Sequence, residues 1–264
     1  MRSLIYYLER WIQTNVRYLA KNISSSAAIF MFACYAVRNG VFETFGDTKS
    51  CLFTLLMCAI WSGIFNSIAL FYSEADYILD DLNKIVTVRT YIIANLAIQV
   101  FICVIEGLVC TTVFSFFYDY NFDGIIFNNA NFDFAITFIL ITLSADMLGF
   151  ATGMLVNDIT TAMTIIPVAL IMQFLLSGCL FELDKVLKPL ARITTAKWGY
   201  LALGSISRLN ALLSTNSVMI SDPIFEATKE NLLECWKNLL LLSIIFILMS
   251  GIFLYKKINC EKNN

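Results

Sequence analysis

Histidine is absent from the chain, and only 14% of its 264 residues are charged. The first absence removes the commonest general base and the commonest metal ligand. The second falls far below the roughly 25% of a soluble domain and points to a membrane protein. Net charge is −2, which gives no electrostatic ground for a nucleic-acid partner. No G-x-x-x-x-G-K-[ST] occurs, so the chain does not bind ATP in the P-loop manner. Nor does any C-x-x-C. Cys51 and Cys58, like Cys103 and Cys110, sit seven apart inside apolar blocks and read as small hydrophobes. Cys179 and Cys235 flank the one long polar loop, and their spacing leaves open whether they pair. No cleavable leader, inverted internal repeat or soluble domain is evident.

What the chain has is apolar length. Hydrophobic residues make up 59% of it and gather into blocks of roughly 18–29 residues, enough for a helix to cross about 30 Å of hydrocarbon. We read six spans, at about 23–45, 50–72, 90–118, 133–156, 159–181 and 237–255. Ahead of them, 3–22 places Ile5, Leu8, Ile12, Val16 and Leu19 on one side at helical period. Arg10, Arg17 and Lys21 fall opposite, with Tyr7, Trp11 and Tyr18 on the border. That pattern predicts an amphipathic helix lying in the membrane interface.

Lysine and arginine set the orientation. Arg2, Arg10, Arg17 and Lys21 precede the first span, Lys84 and Arg89 lie between the second and third, and Lys256, Lys257 and Lys262 follow the last. With six spans these share one side, so both termini are expected in the cytoplasm. The 119–132 loop has neither residue type. The 182–236 segment, expected outside, does carry Lys185, Lys188, Arg192, Lys197, Arg208 and Lys229, but long segments cross with less regard to charge.

The stretch 73–89, "SEADYILDDLNKIVTVR", then faces the cytoplasm. Glu74, Asp80 and Asp81 share a broad helical face, with Asp76, Lys84 and Arg89 beside it. Ile78, Leu79 and Leu82 add apolar contact. A solvated turn would account for the charge. The length and apolar content favour a docking helix that receives force from a cytoplasmic partner.

Three charges lie inside spans away from their ends. Arg38 and Glu106 reach similar depths when counted from the cytoplasmic ends, which predicts an ion pair, either a brace or a relay that shifts during work. Asp146, nearer mid-membrane, has no basic partner at its depth, so it is either protonated or lines water. Pro167 is expected to kink the fifth span.

This order of parts resembles the membrane domain of ABC exporters of the G subfamily and their bacterial two-component relatives. The strongest likeness is "SGCLFELDKVLKPLARITTAKWGYLALGSISRLN" at 177–210, with its Ser-Gly, short plug and "WGY" element. The resemblance covers essentially the whole chain. It implies an all-α membrane protein with a single transmembrane domain, 1–264. That domain has six transmembrane helices, an N-terminal interfacial helix, a cytoplasmic coupling helix at 73–89 and an external re-entrant helical segment within 182–236. Glu74 matches the acid opening the family's loop helix, and Asp81 a second acid in it. Cys179 and Leu180 fall where many members have two bulky aliphatics assigned as a valve, and only Leu180 keeps that character.

The second and fifth spans line the family's cavity. Here they offer Trp61, Phe65, Asn66, Met172, Gln173 and Leu176, which suit either an amphipathic substrate or plain helix packing. The resemblance further implies a separate cytoplasmic ABC ATPase subunit that holds ATP and Mg. It implies a homodimer or heterodimer of permeases in a bacterial plasma membrane, and export of a peptide, lipid, glycan or drug. Two other classes stand beside this one. An intramembrane enzyme would need a catalytic set that two acids at different depths, without histidine, do not form. A non-transporting assembly or immunity subunit could use the same fold.

Overall fold

The computed structural model describes the backbone of residues 2–37, 39–84, 88–120, 122–156, 158–181, 183–213 and 225–262. Side chains are described for 17, 19–37, 39–68, 71, 92–120, 122–156, 158–181, 183–212 and 225–256. Among these the secondary structure is helical without a strand. The helices are α1 (Arg2–Ala36), α2 (Phe45–Lys84), α3 (Val88–Phe117), α4 (Ala130–Leu155), α5 (Ile159–Leu176), α6 (Leu187–Ala191), α7 (Thr195–Ile206), α8 (Leu209–Leu213) and α9 (Lys229–Lys262). Five contain segments long and apolar enough to cross a membrane: Phe45–Ile68, Ile92–Phe117, Ala130–Leu155, Ile159–Leu176 and Lys229–Lys256.

The first span is drawn differently from the expectation. α1 runs unbroken from Arg2 to Ala36, with no division at 22–23, and it is not among those five. The "SSS" at 24–26 dilutes its apolar run without breaking it. Ser24 and Ser25 donate back to the carbonyls of Lys21 and Asn22, each at 2.9 Å. The helix stops nine residues short of 45 because the chain turns through Gly40 (φ 75°) and Phe42 (φ 66°). Phe42 tolerates that left-handed backbone because its N–H donates to Thr48 Oγ1 at 2.8 Å and its ring packs edge-on against Phe114 and Tyr118.

α4 is the centre of the bundle, packed against α2, α3, α7 and α9. Ala145, Gly149 and Gly153 repeat every fourth residue along it, the small-residue stripe that lets membrane helices approach closely. A Cβ on Gly149 would lie 2.6 Å from the Ile64 carbonyl oxygen, and one on Gly63 2.9 Å from that of Thr142. The α2 and α4 backbones therefore touch, each supplying a glycine to the crossing.

α7 fills the groove between α2, α4 and α9. Its first residue, Thr195, bonds Ser144 midway along α4 at 2.8 Å. Near its other end, Ser205 accepts from Asn231 in the first turn of α9 at 3.0 Å. Its N-terminus is satisfied by Gln173 of α5, whose Oε1 accepts from the Ala196 N–H at 2.9 Å. α5 runs through Pro167 and is capped by Asp158, which accepts from the Thr161 N–H at 2.8 Å and its hydroxyl at 2.7 Å. Those bonds hold the Asp158 carboxyl below its usual range. The 118–129 loop is pinned by Asp133, fully buried, which accepts from the backbone N–H groups of Ile125, Ile126 and Phe127 at 2.5, 3.1 and 3.3 Å.

The α2–α4 crossing sets a stability test. Gly149→Val forces side-chain atoms into the Ile64 backbone and should cost about 1–3 kcal/mol, read as a lower thermal unfolding midpoint in detergent. Gly46→Ala, whose Cβ meets nothing within 4 Å, should leave the midpoint unchanged or raise it.

Candidate functional site

A cavity of about 870 Å³ opens along one face of α2. Gly46, Lys49, Phe53, Met57 and Trp61 line it, recurring three or four residues apart on one helical stripe. Ile29 of α1 closes one side. Phe174 of α5, with Cys179 and Leu180 just beyond it, closes the other. The chain reaches those two positions by turning at Gly178 (φ 78°), where Ser177 Oγ accepts from the Cys179 N–H at 3.1 Å. Phe174 packs on Phe53 at 5.2 Å between ring centroids.

The residues singled out from the sequence divide between this cavity and other tasks. Trp61 and Leu180 line the cavity, and Phe65 stacks on Trp61 at 4.9 Å with the rings 8° from parallel. Asn66 faces elsewhere, because five residues past Trp61 is about 140° round the helix. Gln173, one residue before Phe174, is turned inward to cap α7. Leu176 is buried in the bundle, and Met172 is exposed on the outer face of α5. Lys49 was not singled out. Its signal was its register, four residues before Phe53 and twelve before Trp61.

Asn66 instead belongs to a buried polar group. Its amide donates to the Glu106 carboxylate, to which the Ser26 hydroxyl also donates at 3.1 Å. Three helices, α1, α2 and α3, thus meet at one acid. Arg38 lies outside the described residues, so the expected ion pair is not placed. Ser26, the α1 partner that Glu106 does have, sits ten residues before the end of that helix, about 15 Å along it.

A second group lies one residue along α2. Ser67 meets Gln99 of α3 at 3.4 Å, and Gln99 lies beside Asp146 of α4. The geometry requires the Gln99 amide nitrogen to face the carboxylate, with donations of 2.8 and 3.2 Å to its two oxygens. Gln99, Cys103 and Glu106 share the buried face of α3. Both intramembrane acids are therefore met by hydroxyl and amide donors, and among the described residues neither forms an ion pair. Ser26, Ser67 and Gln99 went unremarked in the sequence. Their signal was polarity at helical spacing within apolar blocks.

Glu74, Asp76, Asp80, Asp81 and Lys84 fall on the last turns of α2, and Arg89 on the first turn of α3. Their side chains lie outside the described residues. The stretch 73–84 is not a separate loop helix, since α2 continues through it without a break from the cavity face. Cys179 and Cys235, whose pairing the spacing left open, are both buried free thiols.

No curated protein matches the chain. Residues 1–207 match the family described as ABC-2 type transporter, ABC2_membrane. That match takes in α1 to α7, the cavity and both buried acids. With its apolar helices, it makes the chain an integral membrane permease subunit that belongs to the ABC-2 type transporter family.

Proposed function

We propose that the chain is one membrane half of an ATP-driven exporter. It moves an amphipathic or lipidic substrate out of the cytoplasm or inner leaflet by alternating access. A separate cytoplasmic ATPase binds ATP and Mg, and two permeases, identical or homologous, complete the complex in a bacterial plasma membrane. In this reading α1 supplies the sixth span, both termini are cytoplasmic, and α7 enters the membrane from outside as a re-entrant helix. The apolar outer face of α5, with Val168, Ile171 and Met172 exposed beside the cavity, offers a surface for the second permease.

One observation carries the reading: α2 is a single 40-residue helix. About 60 Å long, it bears the cavity wall towards one end and the acidic docking stretch at the other. From the close crossing at Gly63, the arm to Lys84 is about 31 Å and the arm to Gly46 about 25 Å. A rigid rod tilting there passes most of a push at the docking end to the cavity wall. Nucleotide-driven closure of the ATPases supplies that push.

Two outcomes follow. The tagged chain, co-expressed with the ATPase from its neighbourhood in the genome, should retain that ATPase on purification, and Glu74→Ala/Asp81→Ala should release it or uncouple its hydrolysis. A wild-type chain that retains no ATPase removes the reading. Ser73→Pro deletes a helical hydrogen bond between the two ends of the rod, at about 3 kcal/mol locally. It should keep the ATPase bound while abolishing substrate-stimulated hydrolysis and transport in proteoliposomes.

A further inference from the structure

The cavity is chemically lopsided. Among the described residues of its lining, Lys49 is the one that is charged, and none is an aspartate or glutamate. Lys49 as a residue is half-buried, and among the described residues it forms no ion pair. The ring of Phe45 lies 6.0 Å from its nitrogen. Space is open beside it, since Gly46 lines the same end of the cavity and a Cβ there would touch nothing within 4 Å. Beyond Lys49, Ser50 and Thr54 the wall turns apolar. Phe53, Met57 and Trp61 follow along α2 with Phe174 opposite, over about 18 Å between the levels of Lys49 and Trp61.

We propose that this cavity binds an amphipath with an acidic head, carboxylate or phosphate, seated at Lys49, and a long apolar chain laid along Phe53, Met57 and Trp61. The inference rests on reading the chain as a transport permease and names the substrate class that its cavity selects. A cation held against apolar walls without a counter-ion draws an anion strongly, because the charge is poorly compensated until one arrives. A cationic amphipath meets the opposite situation: among the described residues of the lining it finds no acid, and it is repelled by Lys49. The flexible sulfur of Met57 and the flat faces of Trp61 and Phe53 accommodate chains of differing shape, so selection falls on the head. In a permease pair the site occurs once in each subunit.

The test uses the full chain in phosphatidylcholine nanodiscs, without the ATPase, and reads tryptophan fluorescence. The probes are a bromine-tagged long-chain carboxylic acid, the matching alkyl phosphate and the matching alkyltrimethylammonium, since bromine quenches a tryptophan that it touches. The two acidic probes should quench saturably, and Trp61→Phe should remove that component. Lys49→Gln should weaken both by about tenfold, the scale of one lost charge-assisted hydrogen bond, and Lys49→Arg should restore them. Equal affinity of Lys49→Gln and wild type for the acidic probes, or an ammonium probe binding as tightly as the acids, overturns the proposal. Adding phosphatidylglycerol to the discs separates the two sources of an acidic head. Competition with the acid probe assigns the site to an anionic bilayer lipid, and lack of competition to a soluble amphipath, with the acidic head at Lys49 kept in both. Because the ATPase is absent, failure here leaves the coupling reading intact. Loss of ATPase coupling with binding preserved would leave an acid-binding membrane protein that is not a transporter.

Discussion

The contact on which the other arrangements depend is the meeting of two backbones, α2 and α4, at Gly63 and Gly149. Lipid tails are as apolar as leucine, so helices in a bilayer gain little from hiding apolar surface from one another. They associate by close packing and short polar bonds. Both need the backbones near. Had either glycine carried a side chain, α2 would stand off from α4. The Ser67–Gln99–Asp146 group, which links α2 to α4 through α3, would then stretch beyond hydrogen-bonding range, since its Ser67–Gln99 contact is already 3.4 Å. The crossing thus sets the spacing, and the polar groups fix the register within it.

Among the described residues, those polar groups contain no cation. An acid paired with arginine inside the membrane brings a second charge that must itself be desolvated. Asn66, Gln99, Ser26 and Ser67 meet Glu106 and Asp146 with neutral donors instead, and these hydrogen bonds fix α2 sideways. At the end of the bundle that carries residues 37–44 and 118–129 the arrangement is different. There Asp133 gathers three backbone N–H groups, and Phe42, Phe114, Tyr120 and Phe122 pack around the loop. One end is a rigid cap, and the long helix passes beneath it.

Much of this was legible in the residues, and the parts that were not share a cause. Apolar blocks located α3, α4 and α5 to within about five residues and marked the apolar middles of α2 and α9, whose helices run well beyond them, because length and hydropathy are properties of a segment by itself. Which way a side chain faces depends on its neighbours. Asn66 and Gln173 were placed in the cavity because their spans line it, yet a rotation of 100° per residue turns each to another partner. Lys49 was passed over because it sits at the edge of an apolar block, where lysine usually reads as an anchor. At 22–23 the helix shows no break for a local reason, since three serines lower the mean apolarity without ending a helix in which Ser24 and Ser25 bond backwards. The Ala145–Gly149–Gly153 stripe was visible, but its meaning required knowing which helix lies against it.

The two buried acids also bear on how the chain is made. Ser26 and Asn66 precede Glu106 in the sequence, and Ser67 and Gln99 precede Asp146. A ribosome delivers the helices in that order, so when each acid emerges into the bilayer its hydrogen-bond donors have already been synthesised. Neither carboxyl has to wait in hydrocarbon for a partner still being translated. The polar network doubles as an assembly sequence, in which α1 and α2 form a receiving surface, α3 docks on it, and α4 closes last.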